Sequence, residues 1–500
     1  MSDPSNPSIA HLAGARPPAT DWSSDELARA LAAASEWAVG YRERVAEFPV
    51  LPHVVPGETR ALLAQSPPRE PESFESVLAD FDQIVVPRLT HWNHPGFLAY
   101  FSSAARGPSV VAELLIAAVG VNAMLWRTSP AATELELVVT DWLRQAVGLP
   151  PCFRGVILDT ASSSSFAAML AARERAGENV RVDGVGGAGT VPLTTYVSDQ
   201  AHSSIQKAAI AAGLGLASVR RIASGPRFRM DVHALDRALA EDVASGAHPM
   251  LIAATLGTTS TASMDPVGAI ADIAEEYDTW LHVDAAYAGS AAMVPEAREP
   301  FRGWERADSI VINPHKWLGT SLDCSVLLFR DPDPFREALS LMPEYLKPEP
   351  GDGTNLMEFG LPLGRRFRAL KLWVLFRCVG THGLIDMLRN HMAMAADFAA
   401  RIEADDRFEL AAPVQFSTVC FRVRTGPGHE APDEDTLNRR VLGRVNRMGR
   451  VFLSHTELDR RYTIRLSIGS VYTRGDDIDA ALLSLGEAAD AELAGVRRSR

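Results

Sequence analysis

From about residue 150 the chain alternates short β-branched runs with amphipathic helical stretches, and this pattern restricts its fold more than any other feature. GVIL (155–158) precedes SSFAAMLAARERA, TTYVS (194–198) precedes SSIQKAAIAAG, and PMLIAATLG (249–257) precedes VGAIADIAEEY. WLHVDAA, ADSIVIN and CSVLLF follow. Such alternation predicts an α/β domain with a mainly parallel central sheet. Ligands of these sheets bind beyond the carboxyl ends of the strands. Polar residues fall at those ends: Thr160–Ser162, His202, Thr259, Asp284 and Asn313–Lys316. Strand order is not readable from the pattern.

A length of 500 residues suggests two or three domains. Residues 1–20, rich in Pro, Ser, Ala and Gly, are expected to be disordered. Ser23 and Glu26 then form a capping-box pattern, followed by apolar residues at helical spacing. A connection with six prolines comes next, between Phe48 and Glu72. Residues 21–105 therefore read as a helical and extended arm with little core of its own, which must pack on something else. Residues 106–380 read as the large α/β domain, with a mobile loop near 334–358 where Pro, Gly and acidic residues gather. Residues 381–500 read as a smaller C-terminal α/β domain.

The net charge of −13 opposes binding to nucleic acid. Four cysteines, none in a CxxC pair, suit free thiols in a reducing compartment, and no secretory signal pattern precedes the arm. The expected location is the cytoplasm, with no metal site. VVAELLIAAVGVNAMLW (110–126) is interrupted by Glu113 and Asn122, so a buried helix is expected there rather than a membrane span.

Chemistry concentrates at the strand ends. Lys316, in INPHKWLG, is either a solvated surface lysine or an amine freed by burial for reaction with an aldehyde. Asp284 is either a cap or ion-pair partner, or a carboxylate that holds a cationic ring nitrogen. The serines of DTASSSSFAAML either cap a helix or cradle an anion there; no P-loop pattern is present. His202 is either structural or a flat partner for a ring. An amine, a carboxylate, an anion cradle and a histidine at neighbouring strand ends are together what pyridoxal 5′-phosphate requires.

The motifs NPHKW, HVDAAYAGSA, ATLGTTSTASMD, AHSS and PLGRRFRALKLW, with THWNHPGFLAYF and SPAATELE, resemble the group II pyridoxal-phosphate decarboxylases, and most of all the aromatic L-amino acid decarboxylases. The resemblance spans roughly residues 22–480. It implies the aspartate-aminotransferase-like fold (fold type I) and a homodimer with active sites at the subunit interface, the arm packing across the dimer. It assigns Lys316 as the covalent anchor of the cofactor and Asp284 as partner of the pyridine nitrogen. Ala286 would pack against the cofactor, His202 would stack on the ring, and Thr259 would touch it. Thr160, Ala161, Ser162, Asn313 and His315 would surround the phosphate. Tyr345, in PEYLKP, would return a proton to Cα after CO₂ leaves. Relatives with phenylalanine there form aldehydes by oxidative decarboxylation–deamination, which is the alternative reading.

The resemblance also implies a substrate pocket built from Trp92, Tyr100 and Phe101, with Gly364 leaving room. Ser102, Ser103, Asn122 and Met124 depart from the residues of animal aromatic decarboxylases. Asn122 could hydrogen-bond a ring substituent or an indole N–H, and Met124 is adaptable; alternatively these changes only repack the wall. Tryptophan or a substituted tryptophan is the favoured substrate, with tyrosine, phenylalanine and dihydroxyphenylalanine open.

Overall fold

The computed structural model describes residues 21–177, 180–185, 191–341, 353–425 and 434–498. Its contacts divide the chain after Thr90. In the first unit, Ser24–Arg44 is a helix whose capping box forms as the sequence predicts: the Glu26 N–H donates to Ser23 Oγ and the Ser23 N–H to Glu26 Oε2. Trp37 stacks on Tyr41 at 5.3 Å and donates from Nε1 to Asp82 at 2.9 Å, while Arg44 pairs with the same carboxylate. Ala30 is the one buried residue of this helix, and Leu27, Leu31 and Val39 are exposed.

Residues 91–500 form the second unit, so the segment 91–105 clusters with the α/β body. Main-chain bonds hold it there: Leu98 N–H to Phe452 O at 3.0 Å and Ser467 N–H to Leu98 O at 2.9 Å. Seven strands make the large sheet: β1 (Arg154–Leu158), β2 (Leu193–Ser198), β3 (Val219–Ile222), β4 (His248–Thr255), β5 (Trp280–Asp284), β6 (Ser309–Ile312) and β7 (Ser325–Phe329), in the order β1-β7-β6-β5-β4-β2-β3. Pairing is parallel from β3 through β6, and β7 runs against both β6 and β1. The sheet is thus mainly parallel, and β1, β2, β4, β5 and β6 all end at the same edge. Strands β2, β5, β6 and β7 are buried throughout, and β6 and β7 accordingly read as near-continuous apolar runs.

A four-stranded antiparallel sheet follows: β8 (Phe408–Leu410), β9 (Thr418–Val423), β10 (Ser454–Leu458) and β11 (Arg461–Ser467), ordered β10-β11-β9-β8. The helix Ala369–Glu403, broken at Gly380 (φ 71°), leads from the large sheet toward it. The span 334–358 is helical at its start, within Asp333–Leu339, and forms a 3-10 turn at Leu356–Phe359; residues 342–352, including Tyr345, lie outside the described residues. So do residues 1–20.

One sequence expectation is corrected. The apolar stretch from Val110 is not a buried helix: the helix Gly107–Val119 stops at Gly120, whose φ of 61° ends it, and Val110, Val111, Leu114, Leu115 and Val119 are exposed. Among the described residues no helix is long and apolar enough to cross a membrane, and no His, Cys, Asp and Glu group could hold a metal.

A buried ion pair ties the turn after that helix to the sheet. Arg365 and Glu136 are almost fully buried and meet at 2.6 Å; Arg365 also donates to Ala123 O and Ile157 O, and the Ile157 N–H donates to Glu136. Removing one partner strands the other charge out of water. Arg365→Met should therefore cost about 3–5 kcal/mol, read as a lowered urea midpoint. A loss below about 1 kcal/mol would show that water reaches Glu136.

Candidate active site

The polar residues beyond the carboxyl ends of β1, β2, β4, β5 and β6 share one edge of the sheet. Register brings Asp284, the last residue of β5, between Thr255 and Val311. It is 7% exposed, accepts the Ala286 N–H at 3.1 Å, and has no cation within ion-pair distance among the described residues. A buried carboxylate so placed lacks a partner that the fold itself could supply. Ala286, two residues on, is buried.

Lys316 lies in the one-turn helix Pro314–Trp317 that follows β6, where Pro314 at the first position suits a helix start. Its Nζ stands 5.3 Å from the centre of the Phe101 ring, and among the described residues it has no hydrogen bond or ion pair. Burial lowers its pKa, Asp284 opposes the shift, and Arg465 adds to it. The solvated-lysine reading of INPHKWLG does not hold. What results is a desolvated amine facing a carboxylate field, suited to attack on a carbonyl.

His202 follows β2. Its Nδ1 accepts the Ser204 N–H at 3.2 Å and lies 2.9 Å from Ser204 Oγ, so Nε2 carries the proton of the neutral ring. Desolvation lowers its pKa, opposed by Asp284 and assisted by Lys316 and Lys207. Thr259, after β4, is exposed and lines a polar cavity together with His202, Ser203 and Ser260.

The serine-rich turn divides into two jobs. Ser164 Oγ bonds Ser325 Oγ at 2.8 Å and Ser165 Oγ bonds His282 Nε2 at 3.1 Å, both inside the core. Thr160 is the extended N-cap residue of the helix Ala161–Arg175 and makes no side-chain cap bond. The first intrahelical acceptor is Thr160 O, taken by the Ser164 N–H, so the N–H groups of Ala161, Ser162 and Ser163 are left for an anion. Asn313 and His315 follow β6. His315 Nδ1 accepts the Cys324 N–H at 2.9 Å, and burial pushes its pKa down to about 4, Lys316 adding to the shift. The neutral ring then carries its proton on Nε2, 3.3 Å from the Asn313 amide, whose buried Oδ1 has no partner. Turning the amide gives Oδ1 to His315 and frees the NH₂ as a donor. The donor set fits a phosphate.

Tyr287, Trp317 and Arg465, not anticipated as site residues from the sequence, complete the surroundings of Lys316 together with the expected Phe101. Phe101, Tyr287 and Trp317 form a stacked column at 3.7 and 4.8 Å. Arg465 of β11 lies 4.7 Å over Phe101 and donates to Tyr100 O and Ser260 O, with its Nη2 unpaired. The one available signal was an arginine inside the apolar alternation of RYTIRLS. Among the expected pocket residues, Phe101 is thus brought to Lys316. Trp92 and Tyr100 stack on each other at 6.1 Å. The Ser102 hydroxyl accepts the Ala104 N–H, and Ser103 is half-buried. Asn122, Met124 and Gly364 assemble as a separate group, held by a bridge between Asn122 and Arg366. Gly364 lines an apolar cavity of about 190 Å³ that also borders Asp159 and Ser163, beside the start of the helix Ala161–Arg175.

Residues 56–424 match the model of the pyridoxal-dependent decarboxylase conserved domain. The chain belongs to this family. The decarboxylase is similar to tryptophan decarboxylase 1 of Oryza sativa subsp. japonica, 38% identical over 90% of each chain, and to tyrosine decarboxylase 4 of Petroselinum crispum, 39% identical over 91% of each. An Oryza sativa TDC crystal structure with PLP and tryptamine superposes with a TM-score of 0.91 at 36% identity, covering 96% of this chain and all of that one. The fold is that of fold type I, and the cofactor is pyridoxal 5′-phosphate.

Proposed function

We propose that this decarboxylase converts an aromatic L-amino acid to its amine and CO₂. The observation that carries the reading is the placement, at one sheet edge, of a desolvated Lys316 amine and the buried Asp284 carboxylate, neither of them ion-paired among the described residues. When bound, pyridoxal phosphate would supply an electron-accepting ring. The remaining work falls to the chain. Lys316 would hold the cofactor through its aldehyde, its desolvated amine being the nucleophile. Asp284 would keep a proton on the ring nitrogen, with Ala286, His202 and Thr259 bordering the ring. Thr160, Ala161, Ser162, Asn313 and His315 would hold the phosphate. Trp92, Tyr100, Phe101, Ser102 and Ser103 line the substrate pocket.

Tyr345 is proposed as the acid that protonates Cα after CO₂ departs. Retention of a hydroxyl at this position favours the amine over the aldehyde. The test is a product balance: CO₂ and amine in equal amounts, without hydrogen peroxide or ammonia. Tyr345→Phe should divert a major share of product to aldehyde; an unchanged product mixture would remove this role from Tyr345, and stoichiometric peroxide from the wild type would favour the aldehyde synthase.

We also propose a homodimer in which Asn122, Met124 and Gly364 form part of the substrate wall at the subunit interface. The exposed apolar face Val110, Val111, Leu114, Leu115 and Val119 adjoins that wall in sequence, and a contiguous apolar face of this kind suits burial against a second copy. The first unit's exposed Leu27, Leu31 and Val39 suit the same end. A cytoplasmic location is consistent with four cysteines that all remain free thiols.

A further inference from the structure

Asn122 is held by main chain in a way that fixes which end of its amide meets a ligand. Its Oδ1 accepts the Arg365 N–H at 2.9 Å. Next to it the Ala123 N–H donates to Arg365 O at 2.8 Å, Arg365 Nη1 donates to Ala123 O at 3.0 Å, and the Met357 N–H donates to Met124 O at 3.1 Å. Segment 122–124 is therefore pinned on both sides. Reversing the Asn122 amide would set its NH₂ against the Arg365 N–H, donor against donor. The oxygen and nitrogen of this side chain are thus assigned by their surroundings.

The nitrogen faces the wall's open side. Nδ2 is 3.6 Å from Met124 Sδ, a weak acceptor that engages one of its two hydrogens. A Cβ built on Gly364 would have Asn122 Nδ2 at 3.8 Å and nothing else within 4 Å. The space over Gly364 is therefore roomy and fronted by a hydrogen-bond donor, with Oδ1 turned toward Arg365.

We propose that Asn122 determines specificity by donating to an acceptor atom on the substrate ring. The substrates it selects are aromatic L-amino acids that carry a ring hydroxyl, phenolic or hydroxyindolic, over phenylalanine and unsubstituted tryptophan. This rests on the preceding reading, in which residues 122–124 and Gly364 form part of the substrate wall. An indole N–H is a donor and meets a donor; a phenol oxygen accepts. Because relatives of nearly equal identity are named for tryptophan and for tyrosine, overall similarity does not choose the ring. The amide does. A site whose donor is left unpaired rejects the analogue that lacks the acceptor.

The test measures kcat/KM for CO₂ release by the cofactor-loaded enzyme on two substrate pairs, tyrosine with phenylalanine and 5-hydroxytryptophan with tryptophan. In the wild type each hydroxylated member should lead by about tenfold, the size of one neutral hydrogen bond. In Asn122→Leu both ratios should fall to near one. Each ratio is internal to one preparation, so partial misfolding of the variant cancels. Wild-type ratios near one, or ratios that survive in Asn122→Leu, overturn the proposal while leaving decarboxylation intact. Absence of CO₂ from all four substrates would instead overturn the functional reading on which it stands.

Discussion

Lys316→Ala should bind no cofactor covalently and should release CO₂ at least about 10⁴-fold more slowly, the scale on which loss of a covalent catalyst is felt. The Nζ group makes no hydrogen bond or ion pair among the described residues, so its removal takes nothing from the packing except a cation near the Phe101 face. Compared without cofactor, the variant should therefore fold as the wild type does, with a thermal midpoint that is unchanged or slightly raised. Lys316→Arg separates chemistry from charge. A guanidinium preserves the positive field beside Asp284 and Phe101 but stays protonated and cannot join an aldehyde. It should be as inactive as the alanine variant. Two measurements decide: visible absorbance of the cofactor after removal of excess, and single-turnover CO₂ release. Turnover near the wild-type level in either variant would remove Lys316 from the anchoring role.

Much of this arrangement is legible in the sequence because parallel α/β topology converts order along the chain into position in space. Once GVIL, TTYVS, PMLIAATLG, WLHVDAA and ADSIVIN are read as parallel strands, Thr160, His202, Thr259, Asp284 and Lys316 must share an edge. Other features were hidden for identifiable reasons. Strand β7 runs against its neighbours and sits between β1 and β6, a pairing of segments some 170 residues apart that no local pattern encodes. The serines of DTASSSSFAAML look equivalent, yet Ser164 and Ser165 turn into the core while Ala161–Ser163 offer their main-chain N–H groups outward. The apolar helix at Gly107–Val119 shows how composition misleads, because an exposed apolar face reads like a core face. Arg465 and the amide of Asn122 depend on tertiary partners, Tyr100, Ser260 and Arg365, so their roles emerge only when the chain is folded.

Asp284→Asn should lower kcat by about 10²–10³-fold with a smaller effect on KM, because a preorganised charge acts where charge develops in the reaction rather than where substrate is merely held. The amide keeps the size of the carboxylate, and its oxygen can still accept the Ala286 N–H, so the turn after β5 should survive. What disappears is the negative charge proposed to hold a proton on the ring nitrogen. No neighbour replaces it. His282 lies two residues earlier on the same face of β5, but burial pushes its pKa down to about 4 and its two nitrogens are engaged by Ser165 and Ser309. It stays neutral and contributes no compensating charge. Asp284→Glu retains the charge while lengthening the reach, and should recover part of the lost rate if charge is the cause. Asp284→Asn should also alter the absorbance of the bound cofactor, which reports on the ring's protonation without turnover. A kcat within about threefold of wild type for Asp284→Asn, together with an unchanged spectrum, would show that the carboxylate serves the β5 turn and not the ring.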